Sequence, residues 1–249
     1  MPPPTQRHTR RSDNLLMIAA RDPVPGTTKT RLGAAIGMQR AATLYRAFLQ
    51  DLAARLTPAE DGTVAYDLAW TFSPPESDFR SVLAEVTGSA PDHVWYVAQD
   101  GEDWGTRQSN LLRWGVDHGY ARSVLIASDS PQLELDVVHE AFTALATHEV
   151  AIGRVHDGGY YLIGMSGRHH DLLAKVPMST ASAADDVIAR ARALNLEIAE
   201  LPPTFDVDEA ADLDRLIAAL TPDGVVAPAS WAALAALDLV PVAEVRRRS

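Results

Sequence analysis

Four short segments of this chain carry side chains whose types and spacing suit the handling of a phosphorylated ligand. The first runs from Ala20 to Leu32 as Ala-Arg-Asp-Pro-Val-Pro-Gly-Thr-Thr-Lys-Thr-Arg-Leu. Gly26, three threonines, Lys29 and Arg31 can together hold phosphate oxygens. The lysine would act as a compact point charge and the arginine as a planar fork binding two oxygens at once. The spacing matches neither the phosphate loop Gly-x-x-x-x-Gly-Lys-Ser/Thr nor the dinucleotide fingerprint Gly-x-Gly-x-x-Gly, which disfavours hydride transfer. A solvated cationic surface loop is the alternative reading.

The second segment is Val124-Leu125-Ile126-Ala127-Ser128-Asp129-Ser130-Pro131. A carboxylate directly after an apolar strand lies where a hard divalent cation would take an oxygen ligand and still leave room for phosphates. The competing reading makes Asp129 or Ser130 the cap of the next helix. The third, His156-Asp157-Gly158-Gly159-Tyr160-Tyr161, has the Asp-Gly signature of a hairpin turn. Its paired glycines would also let a sugar or base come close to the backbone. In the fourth, Phe205 to Leu213, Asp206 and Asp208 stand two apart, on one face of an extended segment, and could converge on a cation. Glu209 and Asp212 suit a helix N-terminus instead. The polar stretch from Gln99 to Arg107 reads as a substrate-side lid or as an ordinary connection. His169 and His170 lack a third imidazole at ligand spacing, Trp70, Trp95 and Trp114 read as core, and no Gly-x-Ser-x-Gly elbow is present.

To converge, these segments need a scaffold that brings strand ends together. Strand-length apolar runs are expected at Leu15–Ala20, Val64–Phe72, Val94–Val97, Ser123–Ala127, Val150–Val155, Tyr160–Met165 and Glu197–Leu201. Between them fall helix-period segments at Gln39–Leu56, Ser77–Val86, Thr106–His118, Leu135–Thr147, Ala183–Leu194 and Ala210–Leu220. This alternation predicts an α/β fold around a mostly parallel sheet. In such sheets ligands sit at the carboxyl ends of the strands, where each of the four segments begins or ends. The expected division is a flexible basic arm over 1–14, a nucleotide-binding domain over 15–220, and a C-terminal appendage over 221–249 with a helix near Trp231–Leu237.

Bulk properties narrow the function further. The 249 residues are 47% hydrophobic, enough for one well-packed domain. With 33 acidic against 22 basic side chains the formal charge is −11, which repels nucleic-acid backbones and anionic membranes. No cysteine is present, so thiolate metal sites, disulfides and cysteine nucleophiles are excluded. The polar, Arg-rich start and the short apolar run after it give neither a signal h-region nor a membrane span, so a cytoplasmic protein without membrane insertion is expected.

In this order, Pro23-Val24-Pro25-Gly26-Thr27-Thr28-Lys29-Thr30-Arg31-Leu32, Ser128-Asp129-Ser130-Pro131, Asp157 to Gly164 and Asp206-Val207-Asp208 resemble a bacterial family of uncharacterised proteins. That family is described as glycosyltransferase-A-type, or nucleotide-diphospho-sugar transferase. A more distant similarity is to 2-phospholactate guanylyltransferase and the molybdenum-cofactor guanylyltransferases. The resemblance spans about Leu15 to Leu220. It implies a single-domain, Rossmann-like glycosyltransferase-A fold, a Mg²⁺ or Mn²⁺ cofactor, and a nucleotide sugar or an NTP as ligand beside a small-molecule acceptor. It further implies Lys29 and Arg31 on the phosphates, Asp129 and Asp208 on the metal, and Asp206 beside them. The wider nucleotide set is Ala20, Arg21, Gly26, Thr27, Arg107 and Ser128. Asp157, Gly158, Gly159 and Tyr160 fall on the acceptor or sugar side, and the implied catalytic set is Lys29, Arg31, Asp129 and Asp157. Trp104, Thr106 and Gln108 depart from the family's Leu, Glu and Met, and a single carboxylate, Asp129, replaces the usual Asp-x-Asp after the central strand. The expected activity is glycosyl transfer from a nucleotide diphospho-sugar, the alternatives being nucleotidyl transfer from an NTP with loss of pyrophosphate and non-catalytic nucleotide binding.

Overall fold

The computed structural model describes residues 9–169, 172–174, 176–178 and 180–240. Residues 1–8 of the expected basic arm, His170, and Arg246, Arg247 and Arg248 lie outside the described residues. The first half of the chain forms β1 (Asn14–Arg21), α1 (Thr30–Ile36), α2 (Met38–Leu56), β2 (Asp67–Ser73), α3 (Phe79–Thr87), β3 (Trp95–Ala98), α4 (Trp104–Asp117) and β4 (Arg122–Ala127). The second half forms α5 (Leu135–Ala144), β5 (Val150–Val155), β6 (Tyr160–Ser166), α6 (Ala183–Ala193), β7 (Ile198–Thr204), α7 (Ala210–Leu220) and α8 (Pro228–Ala236).

The strands make one sheet in the order β3-β2-β1-β4-β6-β5-β7. Its pairs are parallel except those of β6, which runs antiparallel to β4 and β5. The Asp-Gly hairpin therefore forms as the sequence predicts. Both sheet faces are buried, as continuous apolar strands require. In β1, Leu16 and Ile18 enter one apolar cluster and Leu15 and Met17 the other. The first cluster is closed by α1, α2, α3, α5, α7 and α8, the second by α4 and α6.

From β1 the chain steps outward through β2 to β3 and then returns to the other side of β1 with β4. This reversal opens a crevice at the carboxyl ends of β1 and β4, the position where open α/β sheets take ligands.

Helix α1 was not expected: seven residues, one of them Gly33, are too few to show a helical period. The second strand starts at Asp67 instead of Val64, α4 two residues before Thr106, and α8 at Pro228 instead of Trp231. Trp70 is core, whereas Trp95 and Trp114 are half-buried and meet edge to face. Of the N-terminal segment, Arg11 is fixed, its N–H donating to Asp67 Oδ2 and its guanidinium to the carbonyls of Ala59 and Glu60. Beyond Thr221 the chain seats α8 on α2, where buried Asp51 accepts from Ala229 N, Ser230 N and Ser230 Oγ. Among the described residues no helix is long and apolar enough to cross a membrane.

Candidate functional site

The crevice has a volume of about 750 Å³ and is walled by the β1 and β4 ends, the first loop, the 206–208 segment, the start of α4 and the turn between β5 and β6. Its first wall is built by a tight loop. Thr27 and Thr28 N–H groups donate to Val24 O, and Gly26 takes a positive φ of 81°. Lys29 follows at φ 49°, left-handed, as the residue that opens α1. This backbone turns its side chain inward, past the rings of Tyr45 and Phe48. Its Nζ ends 2.5 Å from Asp129 Oδ1 and 2.9 Å from Asp208 Oδ1, with 4% of the side chain exposed. Arg31 stays on the surface, donating to Asp208 Oδ2 at 2.6 Å and to Glu209 Oε1 at 2.9 Å.

The second wall joins the end of β4 to the segment before α7. Val207 N donates to Asp129 O, and Ser130 Oγ lies within hydrogen-bond reach of Phe205 O and 2.7 Å from Asp206 Oδ1. Helix α5 begins only at Leu135, with Glu134 at its N-cap, so Asp129 and Ser130 do not cap it. Glu209 and Asp212 form a reciprocal capping box on α7, which leaves Asp206 and Asp208 to the crevice. Burial, and then the negative charge of Asp129, push the Asp206 carboxyl up to about 7. Burial would also raise Asp208, but Lys29 and Arg31 outweigh it and hold that carboxyl below its ordinary range. For Lys29 burial works against the ammonium, yet Asp129 and Asp208 prevail and raise it above the ordinary lysine value. Tyr45 ties the two strand ends together, its Oη accepting from Arg21 N and pairing with Ser128 Oγ at 2.7 Å.

The third wall is aromatic and polar. Tyr160 Oη donates to Gln108 Oε1 at 3.0 Å and touches Met178, while Asp157 Oδ1 accepts from Gly159 N. Arg107 Nε donates to Gly101 O, and Gln99 Nε2 to Thr71 O.

The structure thus brings Ala20, Arg21, Thr27, Lys29, Arg31, Arg107, Ser128, Asp129, Asp157, Gly159, Tyr160, Asp206 and Asp208 to one crevice. Gly26 and Gly158 are not on its lining. Gly158 serves a different close approach from the one expected, because a Cβ there would fall 1.8 Å from the carbonyl oxygen of Ala181. Tyr45, Met178 and Thr180 line the crevice without having been singled out. Tyr45 lies on the apolar stripe of α2 and gave no polar signal.

Asp129 and Asp208 turn one oxygen each toward a common point, which Lys29 Nζ fills. Among the described residues no group of three or more acidic or imidazole side chains is arranged to hold a metal ion. The donor chemistry nonetheless fits a hard divalent cation: two carboxylates converge, and a third, Asp206, stands half-buried beside them on the crevice lining. Mg²⁺ commonly takes one or two carboxylates and completes its shell with ligand phosphates.

No curated protein matches the chain. A family model described as "uncharacterized protein conserved in bacteria (DUF2064)" matches residues 68–180. A solved structure from Desulfovibrio desulfuricans G20, provisionally named a nucleotide-diphospho-sugar transferase, is 31% identical, covers 95% of this chain and 98% of its own, and superposes with a TM-score of 0.82. A 4-diphosphocytidyl-2C-methyl-D-erythritol synthase shares the fold at 13% identity and TM-score 0.51, covering 85% of this chain and 99% of its own. A homologue of Rv0371c from Mycobacterium sp. strain JC1 does so at 17% identity and TM-score 0.50, covering 84% and 98%. With identity at 31% over nearly the whole of both chains, this protein belongs to the same bacterial family as the Desulfovibrio protein, on a nucleotide-diphospho-sugar-transferase-type fold.

Proposed function

We propose that the protein is a metal-assisted transferase that binds a nucleotide diphospho-sugar in the crevice and passes its glycosyl group to a small-molecule acceptor. The observation that carries this reading is the meeting of Lys29 and Arg31 with Asp129, Asp206 and Asp208 at the reversal point of the sheet. The name of the Desulfovibrio relative supports the donor class. Asp129 and Asp208 would hold the divalent cation, which when bound neutralises charge on a departing diphosphate.

The chain's own groups do the rest. Arg31, with Arg21 on the same rim, offers forked N–H donors to phosphate oxygens. Tyr45 keeps the β1 and β4 ends in register around them. Asp157 stands at the opposite wall with Oδ1 engaged by Gly159 N. Its other oxygen is the group assigned to take the acceptor's hydroxyl proton as the acceptor oxygen bonds to the sugar carbon and the sugar–phosphate bond breaks. A nucleoside diphosphate then leaves.

Nucleotidyl transfer from an NTP is the second reading, favoured by the single carboxylate after β4 and the cation-rich first loop. The two differ in the bond broken, so a screen of NTPs and nucleotide sugars with Mg²⁺ or Mn²⁺, followed by mass spectrometry, tests them. Slow release of a nucleoside diphosphate from at least one nucleotide sugar is expected. Pyrophosphate from an NTP with every nucleotide sugar intact would establish the second reading, and nucleotide binding without turnover on any acceptor panel would point to a non-catalytic protein.

A further inference from the structure

Lys29 is the most deeply buried cation of the crevice, and it is paired with two carboxylates. Its ammonium stands at the point toward which Asp129 Oδ1 and Asp208 Oδ1 converge, at 2.5 Å and 2.9 Å. A divalent cation bridging those oxygens would need the same point, and a lysine ammonium and a dication cannot share it. We propose that Lys29 is an exchangeable internal counter-ion, competing with a divalent cation for Asp129 and Asp208 and giving them up when a phosphate draws its ammonium away. The proposal rests on the nucleotide-handling reading above.

Three features separate this from an ordinary structural ion pair. First, the pairing is uneven. Asp208 is held on both oxygens, by Lys29 and by Arg31, whereas Asp129 is held on Oδ1 alone, and its Oδ2 has no hydrogen-bond partner among the described residues. A third of the Asp129 side chain is exposed, so a cation has a free oxygen at which to begin. Second, Asp206 lines the same crevice, its Oδ1 2.7 Å from Ser130 Oγ and with no cation paired to it among the described residues, so a further carboxyl oxygen stands beside the pair. Third, Lys29 sits in the left-handed region at φ 49° and ψ 43°, a conformation that costs a non-glycine residue energy and that this contact network holds in place. It follows directly on the turn that presents Thr27 and Thr28 to the crevice, so its four-carbon stem needs only to swing from the floor to the rim to meet a ligand phosphate.

By linkage, whatever draws Lys29 away raises cation affinity, and cation binding in turn frees Lys29 for phosphate. Lys29 is on this view a positioning residue for the carboxylates. Its signature is a change of sign, because removing a merely structural lysine weakens a site, whereas removing a competitor strengthens it.

The test is Mn²⁺ titration followed by electron paramagnetic resonance, on the full chain without nucleotide, for the parent, Lys29→Met and Lys29→Arg. Lys29→Met should bind Mn²⁺ about ten-fold or more tightly than the parent, the scale of one lost charge-assisted contact, and Lys29→Arg, which keeps the competing charge, should not. Adding Asp129→Asn to Lys29→Met should abolish the gain. Inorganic phosphate should raise the parent's Mn²⁺ affinity and leave that of Lys29→Met nearly unchanged. If Lys29→Met is too unstable to titrate, its melting temperature is the readout, and Mn²⁺ should raise it well beyond any rise in the parent. Mn²⁺ affinity that is unchanged or weaker in Lys29→Met, or an equal thermal response in both chains, would overturn the proposal. A parent that binds no nucleoside diphosphate while Lys29→Met still gains Mn²⁺ affinity would instead remove the nucleotide reading and leave the competition standing.

Discussion

Replacing Gly158 by alanine tests the link between the β5–β6 turn and the segment that closes the crevice. Gly158 has φ +93°, and a Cβ on it would stand 1.8 Å from Ala181 O, about 1.2 Å inside the nearest approach that real Cβ atoms make. Neither partner is a flexible side-chain end, so the backbone itself must part. Gly26 provides the control, with φ +81° and nothing within 4 Å of the same atom. Gly26→Ala should cost only the left-handed strain, about 1.5 kcal/mol. Gly158→Ala adds backbone overpacking of about 2 kcal/mol, giving roughly 3.5 kcal/mol in all. At about 3 °C per kcal/mol for a chain of this length, the melting temperatures should fall by roughly 5 °C and 10 °C. Differential scanning calorimetry reads the gap between them. Hydrogen exchange should also speed up at the amide of Ala184, which donates to Gly158 O at 3.0 Å. Equal melting losses in the two variants, with Ala184 protection unchanged, would refute the close approach to Ala181.

Two further substitutions probe how the crevice is braced. Asp51→Ala removes the acceptor of Ala229 N, Ser230 N and Ser230 Oγ, all in a buried setting, and should destabilise the chain by about 2–4 kcal/mol in urea. Limited proteolysis should then cut first between 221 and 240, and retained resistance there would count against Asp51 as the anchor of α8. Tyr45→Phe strips the hydroxyl that joins Arg21 N to Ser128 Oγ, at a cost of about 1–3 kcal/mol for the groups left unpaired. Nucleoside diphosphate affinity should fall with it, and a loss of stability without any loss of affinity would confine Tyr45 to the core.

What could be read from the sequence follows the range of the forces involved. Strands such as Leu15–Ala20 and Ser123–Ala127 were legible because burial on both faces demands unbroken apolar runs. The gathering of the first loop and Asp129 at one edge was legible because the carboxyl ends of strands in an open α/β sheet share that edge, whereas the pairing of Asp129 with Asp208 came only from the family resemblance. Short-range contacts between distant segments left no such trace. Nothing in Gly158-Gly159 tells whether the space belongs to a ligand or to Ala181, and nothing in the stripe of α2 shows that Tyr45 reaches Ser128. The same limit applies to charge. The first loop declares its cations, but not that Lys29 spends its charge on the chain's own aspartates while Arg31 divides its charge between Asp208 and Glu209.

That division decides how the crevice acts on an anion. A lysine clasped by two carboxylates projects little field beyond them, and a guanidinium held by Asp208 and Glu209 projects not much more. On a chain of net charge −11, long-range attraction for a phosphorylated ligand must therefore come from cations that are not already spent. Among the described residues, the guanidinium of Arg21 has no hydrogen-bond or ion-pair partner, and that of Arg107 uses only Nε, on Gly101 O. Both line the crevice, Arg21 exposed at the β1 end and Arg107 half-buried on the first turns of α4 near Asp103, so Arg21 keeps the freer charge. On the proposed reading, capture and tight holding would fall to different residues. Arg21 and Arg107 would supply the field, and Lys29 and Arg31 would add affinity only when the ligand's own charges replace the carboxylates that they now hold.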